Sequence, residues 1–261
     1  MIISHRHKFI FMHSRKTAGS SVTAALNPFL GPHDIQLGAW PETIAGGGRF
    51  NRKALLVAMS DPRLLWRRSA AHSRQCGRLA VSPEAVNRIT KHHFCNRHGF
   101  SHGAHARASE VRAFDPDAWD SYFTFAIVRN PWTHAVSDYC WRMHLCKQPN
   151  VSFADYLRRL ADPERPDPEG LRPPLMSNWE IYAIDDEIAV DRVGRYEDLS
   201  EEIAAFGAQL GLPLALGGHR AKAGIRDARK SPAEYYDAES VELVRDIYAR
   251  EIAAFGYAPP F

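Results

Sequence analysis

Residues 9–26 read FIFMHSRKTAGSSVTAAL. An apolar run, Phe9–Met12, is followed by a turn of small and polar residues, Arg15, Lys16, Thr17, Ala18, Gly19, Ser20 and Ser21, and then by a short helical pattern from Val22 to Leu26. A buried strand that turns directly into a helix is the repeating unit of α/β proteins. The first amide groups of such a helix have no partner inside it, and the helix dipole favours an anion beside them. Gly19 lets the backbone approach a ligand, Thr17, Ser20 and Ser21 offer hydroxyls, and Lys16 supplies a positive charge. The turn is therefore a candidate phosphate cradle. The nucleotide triphosphatase loop needs G-x-x-x-x-G-K-[ST]; here Lys16 precedes Gly19 and no glycine comes before it. The spacing suits one phosphate rather than a triphosphate. An ordinary strand-to-helix turn with a solvated Lys16 is the alternative.

Working outward, the stretch 121–143, SYFTFAIVRNPWTHAVSDYCWRM, repeats the pattern. Phe123 to Val128 predicts a second buried strand, with Arg129 at its carboxyl end. Asn130 suits a helix cap and Pro131 the first helical position. Trp132, Val136, Tyr139 and Met143 follow at helical spacing, with Ser137 on the flank. Ligands of open α/β sheets bind at the carboxyl ends of strands, so Arg129 and Ser137 form a candidate clamp for a second phosphate. A structural ion pair is the alternative for Arg129.

The remaining chain fits one α/β domain over 1–261 with a mainly parallel sheet flanked by helices. The opening MIISHRHKFIFMHS reads as strand one, and a third strand signal lies at 188–196. Phe153, Tyr156, Leu157 and Leu160 lie on one helical face after Ser152. Ile203, Phe206 and Leu210 do the same after Asp198, with Glu201 placed for a capping box. A last helix carries Val241, Val244, Tyr248, Ile252 and Phe255 on one face and meets a stop at Gly256. Residues 38–104, rich in Arg, Gly and His, break the scheme and read either as a cover over a binding site or as a variable surface insertion. DPERPDPEGLRPP at 162–174 has five prolines and must be loop.

Bulk properties narrow the function. A 45% apolar content supports a sizeable core, and the formal charge of +3 is too small to imply nucleic acid as a partner. No apolar run approaches the ~18 residues of a membrane span, and none fits a signal peptide. Cys76, Cys95, Cys140 and Cys146 form no C-x-x-C pair, which predicts free thiols and a cytoplasmic location.

Taken together, RKTAGSS and RNPWTHAVSDY resemble the two motifs of the sulfotransferases that use 3′-phosphoadenosine 5′-phosphosulfate (PAPS), especially the carbohydrate sulfotransferase-like group. Those motifs are a PK-T-x-G-[ST]-[ST] turn for the 5′-phosphosulfate and an RNP-W-x-R-x-x-S-x-Y segment for the 3′-phosphate. WDSYFTFAIVRNPW, DRVGRYEDL at 191–199 and the ending YYDAESVELVRDIYAREIAAFGY extend the likeness, which thins between 38 and 100. Arg15 stands where the family has proline, and Thr133 and His134 stand where it often has Asp and Arg. The resemblance implies a P-loop-like three-layer fold and PAPS as co-substrate. Residues 15–21 with Arg129 and Ser137 would hold the nucleotide, with no metal. The acceptor would be a hydroxyl, on a glycan or glycolipid. Lys16 would stabilise the bridging oxygen.

A histidine suits a base near neutral pH. His105 precedes ARASEVR, which resembles the family stretch H-x-x-A-x-E-[IV] associated with acceptor activation. It is the first candidate, ahead of His102 and His98, with a plain surface histidine as the alternative; its helix is expected to start near Ala106, and the helix N-terminus to keep the imidazole neutral. Cys95, His98, His102 and His105 have ligand chemistry for zinc, but their spacing matches no closed structural pattern. The run Arg63, Arg67, Arg68, Arg74 and Arg78 reads either as a site for an anionic glycan or as a solvated helix face. Two further readings stay open: a nucleotide-dependent phosphotransferase, and a sulfotransferase-like protein that binds nucleotide or glycan without turnover.

Overall fold

The computed structural model describes residues 1–147, 150–216 and 231–259. They fall into two compact units: Met1–Ile127 with Glu180–Ala221, and Val128–Trp179 with Lys222–Phe261.

The first unit is built on a sheet. The opening segment is a hairpin rather than one strand: β1 (Ile2–Ser4) pairs antiparallel with β2 (Phe9–Met12), Ile3 opposite Ile10. The reversal is fixed by Lys8 at φ 55°. Asp34 also holds it, accepting from the Ser4 hydroxyl at 2.6 Å and the His5 amide at 2.9 Å. The polar HRHK stretch thus interrupts two apolar runs that sequence alone joins. Helix α1 (Gly19–Leu26) follows β2, and β3 (Ile35–Gln36) pairs antiparallel with β1.

Residues 38–104 are mostly helical: α2 (Trp40–Ala45), α3 (Arg52–Ala58), α4 (Pro62–Cys76) and α5 (Pro83–His98). Trp40, Ala54, Ala58 and Val86 make a core of their own there, with Phe50 and Leu65 packed against it. Each of the last three helices starts with a side-chain cap, from Asn51, Asp61 and Ser82. Then come α6 (Ala108–Phe114), α7 (Pro116–Ser121) and β4 (Phe123–Val128).

β4 pairs parallel with β2, Phe9 opposite Phe123 and Met12 opposite Ala126. The sheet order is β3-β1-β2-β4-β7, where β7 is Arg192–Arg195. β2, β3 and β4 therefore run in one direction and β1 against them, so the expected mainly parallel sheet is present with one reversed strand inside it. Phe9, Phe11, Phe125, Ile127, Val22 and Leu26 form a hydrophobic core with Ile203 and Phe206.

The second unit is helical: α8 (Pro131–Cys146), α9 (Phe153–Ala161) and the end of the chain. α9 buries Phe153, Tyr156, Leu157 and Leu160, the predicted face, and Ser152 caps it by accepting from the Asp155 amide at 3.1 Å. The 162–174 loop has neither helix nor strand. Buried Arg159 ties it down through Asp167 at 3.1 Å and through Glu169. A short helix, α10 (Trp179–Tyr182), leads back toward the first unit's hairpin β5 (Ala183–Ile184) and β6 (Glu187–Ile188).

α11 (Leu199–Leu210) buries Ile203 and Phe206, but Asp198 makes no side-chain cap, so the expected capping box does not form. The last helix is two: α12 (Ala238–Ile247) and α13 (Ala249–Phe255), broken at Tyr248 and stopped at Gly256 in the left-handed conformation. Among the described residues no helix is long and apolar enough to cross a membrane.

Glu251 of α13 is buried, and burial raises its carboxyl from 4.5 to about 6 against hydrogen bonds from Asn178 and Ser177 that pull it down. Its sign is that of a desolvated acid. The folded state keeps its proton at pH values where the unfolded chain has lost it, so stability falls as pH rises from 4.5 through 6. The loss is about 2 kcal/mol. Glu251→Gln flattens that slope in urea melts across the window, and an unchanged slope would assign the pH dependence to another group.

Candidate active site

In the first unit the turn from β2 to α1 is strained. Lys16 (φ 59°) and Ala18 (φ 58°) both adopt the left-handed conformation without being glycine. Each such residue costs on the order of 1–3 kcal/mol and persists where its surroundings impose it, typically at functional sites. Ala18 is the cap position of α1 and gives no side-chain hydrogen bond, so the helix start is not closed by its own cap residue. The Ser21 and Val22 amides turn back to the Ala18 carbonyl at 2.8 and 3.1 Å. The helix starts at Gly19, ahead of the apolar pattern at Val22, so Gly19, Ser20 and Ser21 form its first turn. Ser20 and Ser21 are half-buried there. Thr17 is fully buried, and its hydroxyl donates to the Ser14 carbonyl at 3.1 Å. That hydroxyl closes the turn.

Arg15 is buried too, at 8% exposure. Its charge depresses the basicity of His105 and His102. Gly19 has a reason beyond close backbone approach. A Cβ placed on it would lie 2.0 Å from the His13 ring, so the glycine makes room for that imidazole.

His13 is the residue that sequence reasoning missed. It stacks on Phe11, with ring centres 5.9 Å apart, and meets the His105 ring edge-on at 4.8 Å. The His105 Nδ1 lies 2.7 Å from the His13 carbonyl. A carbonyl only accepts, so Nδ1 carries the proton and Nε2 the lone pair. Although part of its surface is exposed, the His105 ring lies deep. Burial lowers its pKa to about 3, helped by Arg15 and Lys91 and opposed by the His13 carbonyl.

The expected cause of its neutrality, a helix starting near Ala106, is replaced by another. His105 ends a single 3-10 turn, Gly103–His105, and α6 begins only at Ala108. Desolvation, not a helix dipole, keeps the imidazole neutral. His102 stands just before that 3-10 turn without a side-chain cap, and His98 packs edge-on against Phe114 at 4.9 Å. Among the described residues no group of three or more His, Cys, Asp or Glu is placed to hold a metal, and the structure does not gather Cys95, His98, His102 and His105 at one point.

In the second unit Arg129 precedes α8. Its Nε donates to the Thr133 hydroxyl at 3.1 Å, and Thr133 in turn donates to the Asn130 carbonyl at 3.1 Å. Asn130 caps the helix by accepting from the Trp132 amide at 3.1 Å. Ser137 lies one turn beyond Thr133 on the same helix flank and is half-buried. Arg129, Thr133 and Ser137 thus share one side of α8. Thr133 is a second residue that sequence reasoning undervalued, although its i, i+4 spacing from Arg129 was the signal. His134 is buried beside it, edge-on to Tyr248 at 5.4 Å and 3.4 Å from the Asn178 amide. The structure therefore brings residues 15–21 together with His13 and His105 in the first unit, and Arg129 with Thr133 and Ser137 in the second.

The model of the sulfotransferase family matches residues 1–258. The chain belongs to the sulfotransferase family. It is an enzyme type that transfers sulfate to a hydroxyl-bearing acceptor, and the family generally uses PAPS as donor. An uncharacterised protein of Archaeoglobus fulgidus is 31% identical to this sulfotransferase over 104 residues, 38% of the present chain and 75% of its own length. No solved structure matches.

Proposed function

We propose that the chain is a single sulfotransferase domain that moves the sulfuryl group of PAPS to a hydroxyl, on a carbohydrate or glycolipid acceptor. The observation that carries this reading is the uncapped helix start behind two strained residues, Lys16 and Ala18. It is the arrangement an anionic sulfophosphate would satisfy. The turn of residues 15–21 takes the 5′-phosphosulfate, in the manner of a short P-loop, while Arg129 and Ser137 take the 3′-phosphate. Parallel β2 and β4 support this division, since Met12 and Ala126 lie side by side and each strand leads into one motif. The family match runs through both compact units, which supports one domain. All four cysteines are free, which suits a cytoplasmic enzyme.

In the reaction the acceptor oxygen attacks sulfur in line, and the bond from sulfur to the bridging phosphate oxygen breaks. The nucleotide leaves as the 3′,5′-bisphosphate, with Lys16 countering the charge that builds on the bridging oxygen. The acceptor proton passes to Nε2 of His105. A buried imidazole of low basicity is always neutral when substrate arrives, and the negative charge of the donor raises its proton affinity in the complex.

The test is calorimetric titration with 3′-phosphoadenosine 5′-phosphate and with adenosine 5′-phosphate. The bisphosphate binds far tighter, and Arg129→Ala removes most of that preference, by about 1.5–3 kcal/mol for a charged contact. Equal affinities for the two nucleotides would remove the reading. Unchanged affinity in a folded Arg129→Ala variant would make Arg129 structural.

A further inference from the structure

The helices α3 and α4 of the first unit carry a surface that the catalytic reading does not use. α4 runs for 15 residues without one buried side chain. Of the nine large hydrophobic residues exposed among the described residues, six lie between 55 and 81: Leu55, Leu56, Met59, Trp66, Leu79 and Val81. Trp66 is 75% exposed and Leu79 99%.

The pattern is ordered. α3 turns Ala54, Val57 and Ala58 inward, while Arg52, Leu55, Leu56 and Met59 follow one another at i, i+3, i+4 and i+7 on its outer face. On α4, Leu65 points to the Trp40 core. Trp66 shares its outward sector with Arg63, Arg67 and Arg74, at helical angles within about 100° of it. After α4 the chain folds back along the helix. The Ala80 amide donates to the Ser73 hydroxyl at 2.9 Å and the Ser82 amide to the Ser69 hydroxyl at 3.1 Å, which lays Leu79 and Val81 beside α4.

Charge is segregated in the same place. Residues 51–100 hold ten Lys and Arg against only Asp61 and Glu84, whereas the whole chain has a net charge of +3. No acidic residue occurs between Pro62 and Pro83.

We infer that this α3–α4 face docks the protein on an anionic lipid bilayer, lying in the headgroup plane. Arginines that flank an outward tryptophan, with leucine and methionine alongside, are the composition of an interfacial helix. Anionic headgroups attract such arginines, and the effect adds with each one near the surface. A nucleic acid or a sulfated glycan would meet the arginines but would leave Leu55, Leu56, Met59 and Leu79 in water, with nothing gained from their exposure. The inference rests on no part of the catalytic reading and is tested without donor or turnover.

The test uses the full chain in flotation assays with phosphatidylcholine vesicles, with and without a third of phosphatidylglycerol. Binding is at least tenfold stronger to the anionic vesicles and falls with added salt. Reversing three charges, Arg63→Glu with Arg67→Glu and Arg74→Glu, weakens it by roughly 100-fold, with an unchanged circular dichroism spectrum. Trp66 is the exposed tryptophan, so emission shifts to the blue on anionic vesicles; Trp66→Phe abolishes the shift and keeps the binding. No vesicle binding, equal binding to both compositions, or retention by the charge-reversed variant overturns the inference. Capture on heparin or duplex DNA by a protein that ignores vesicles overturns it as well.

Discussion

His105→Ala lowers single-turnover sulfuryl transfer by ~10²–10⁴-fold, while affinity for the donor nucleotide changes little. The expectation follows from how the ring is held. Its Nδ1 donates to the His13 carbonyl at 2.7 Å, which fixes the tautomer and leaves Nε2 as the proton acceptor. Burial keeps it neutral at every working pH. Alanine also removes the hydrogen bond to the His13 carbonyl, a loss of about 0.5–1.5 kcal/mol, so the control is His105→Asn. The asparagine amide can restore that hydrogen bond but supplies no base. Both variants are measured with saturating PAPS, with thermal melts and nucleotide titrations alongside. A slow alanine variant with an equally slow, normally stable asparagine variant assigns the loss to the base. Recovery of full rate in His105→Asn would make His105 a structural residue. His13, whose ring touches it, would then be the next candidate.

Lys16→Met lowers the turnover rate by ~10²–10³-fold, the usual cost of removing one group that stabilises developing charge. Lys16 sits in the left-handed region at φ 59°. Methionine carries a Cβ as lysine does, so the strain of the turn is unchanged and the melting temperature stays close to that of the parent. The ammonium alone is lost. If its charge acts in the transition state, kcat and kcat/KM fall together; if it only holds the ground-state donor, KM rises and kcat is kept. Steady-state kinetics with varied PAPS separate the two, and an unchanged kcat would reduce Lys16 to a binding residue.

The chain's local signals were legible in its sequence for a physical reason. Phe9–Met12 and Phe123–Val128 are strands because continuous apolar runs must be buried on both faces of a sheet. α8 begins at Pro131 after Asn130, and α9 at Phe153 after Ser152, because capping chemistry acts over three residues. The turn at 15–21 and the order of the two motifs are local as well, and they sufficed to indicate the family. Tertiary structure alone decided what depends on distant partners. Nothing in the sequence paired His105 with a carbonyl 92 residues earlier or showed that Gly19 is needed for the His13 ring. The hairpin in the opening segment required Asp34, and the break at Tyr248 divides a helix whose apolar spacing runs straight through it. Periodicity reports which residues face a core, but not which groups meet there. The neutrality of His105 comes from desolvation, which exists only once the surrounding chain has excluded water.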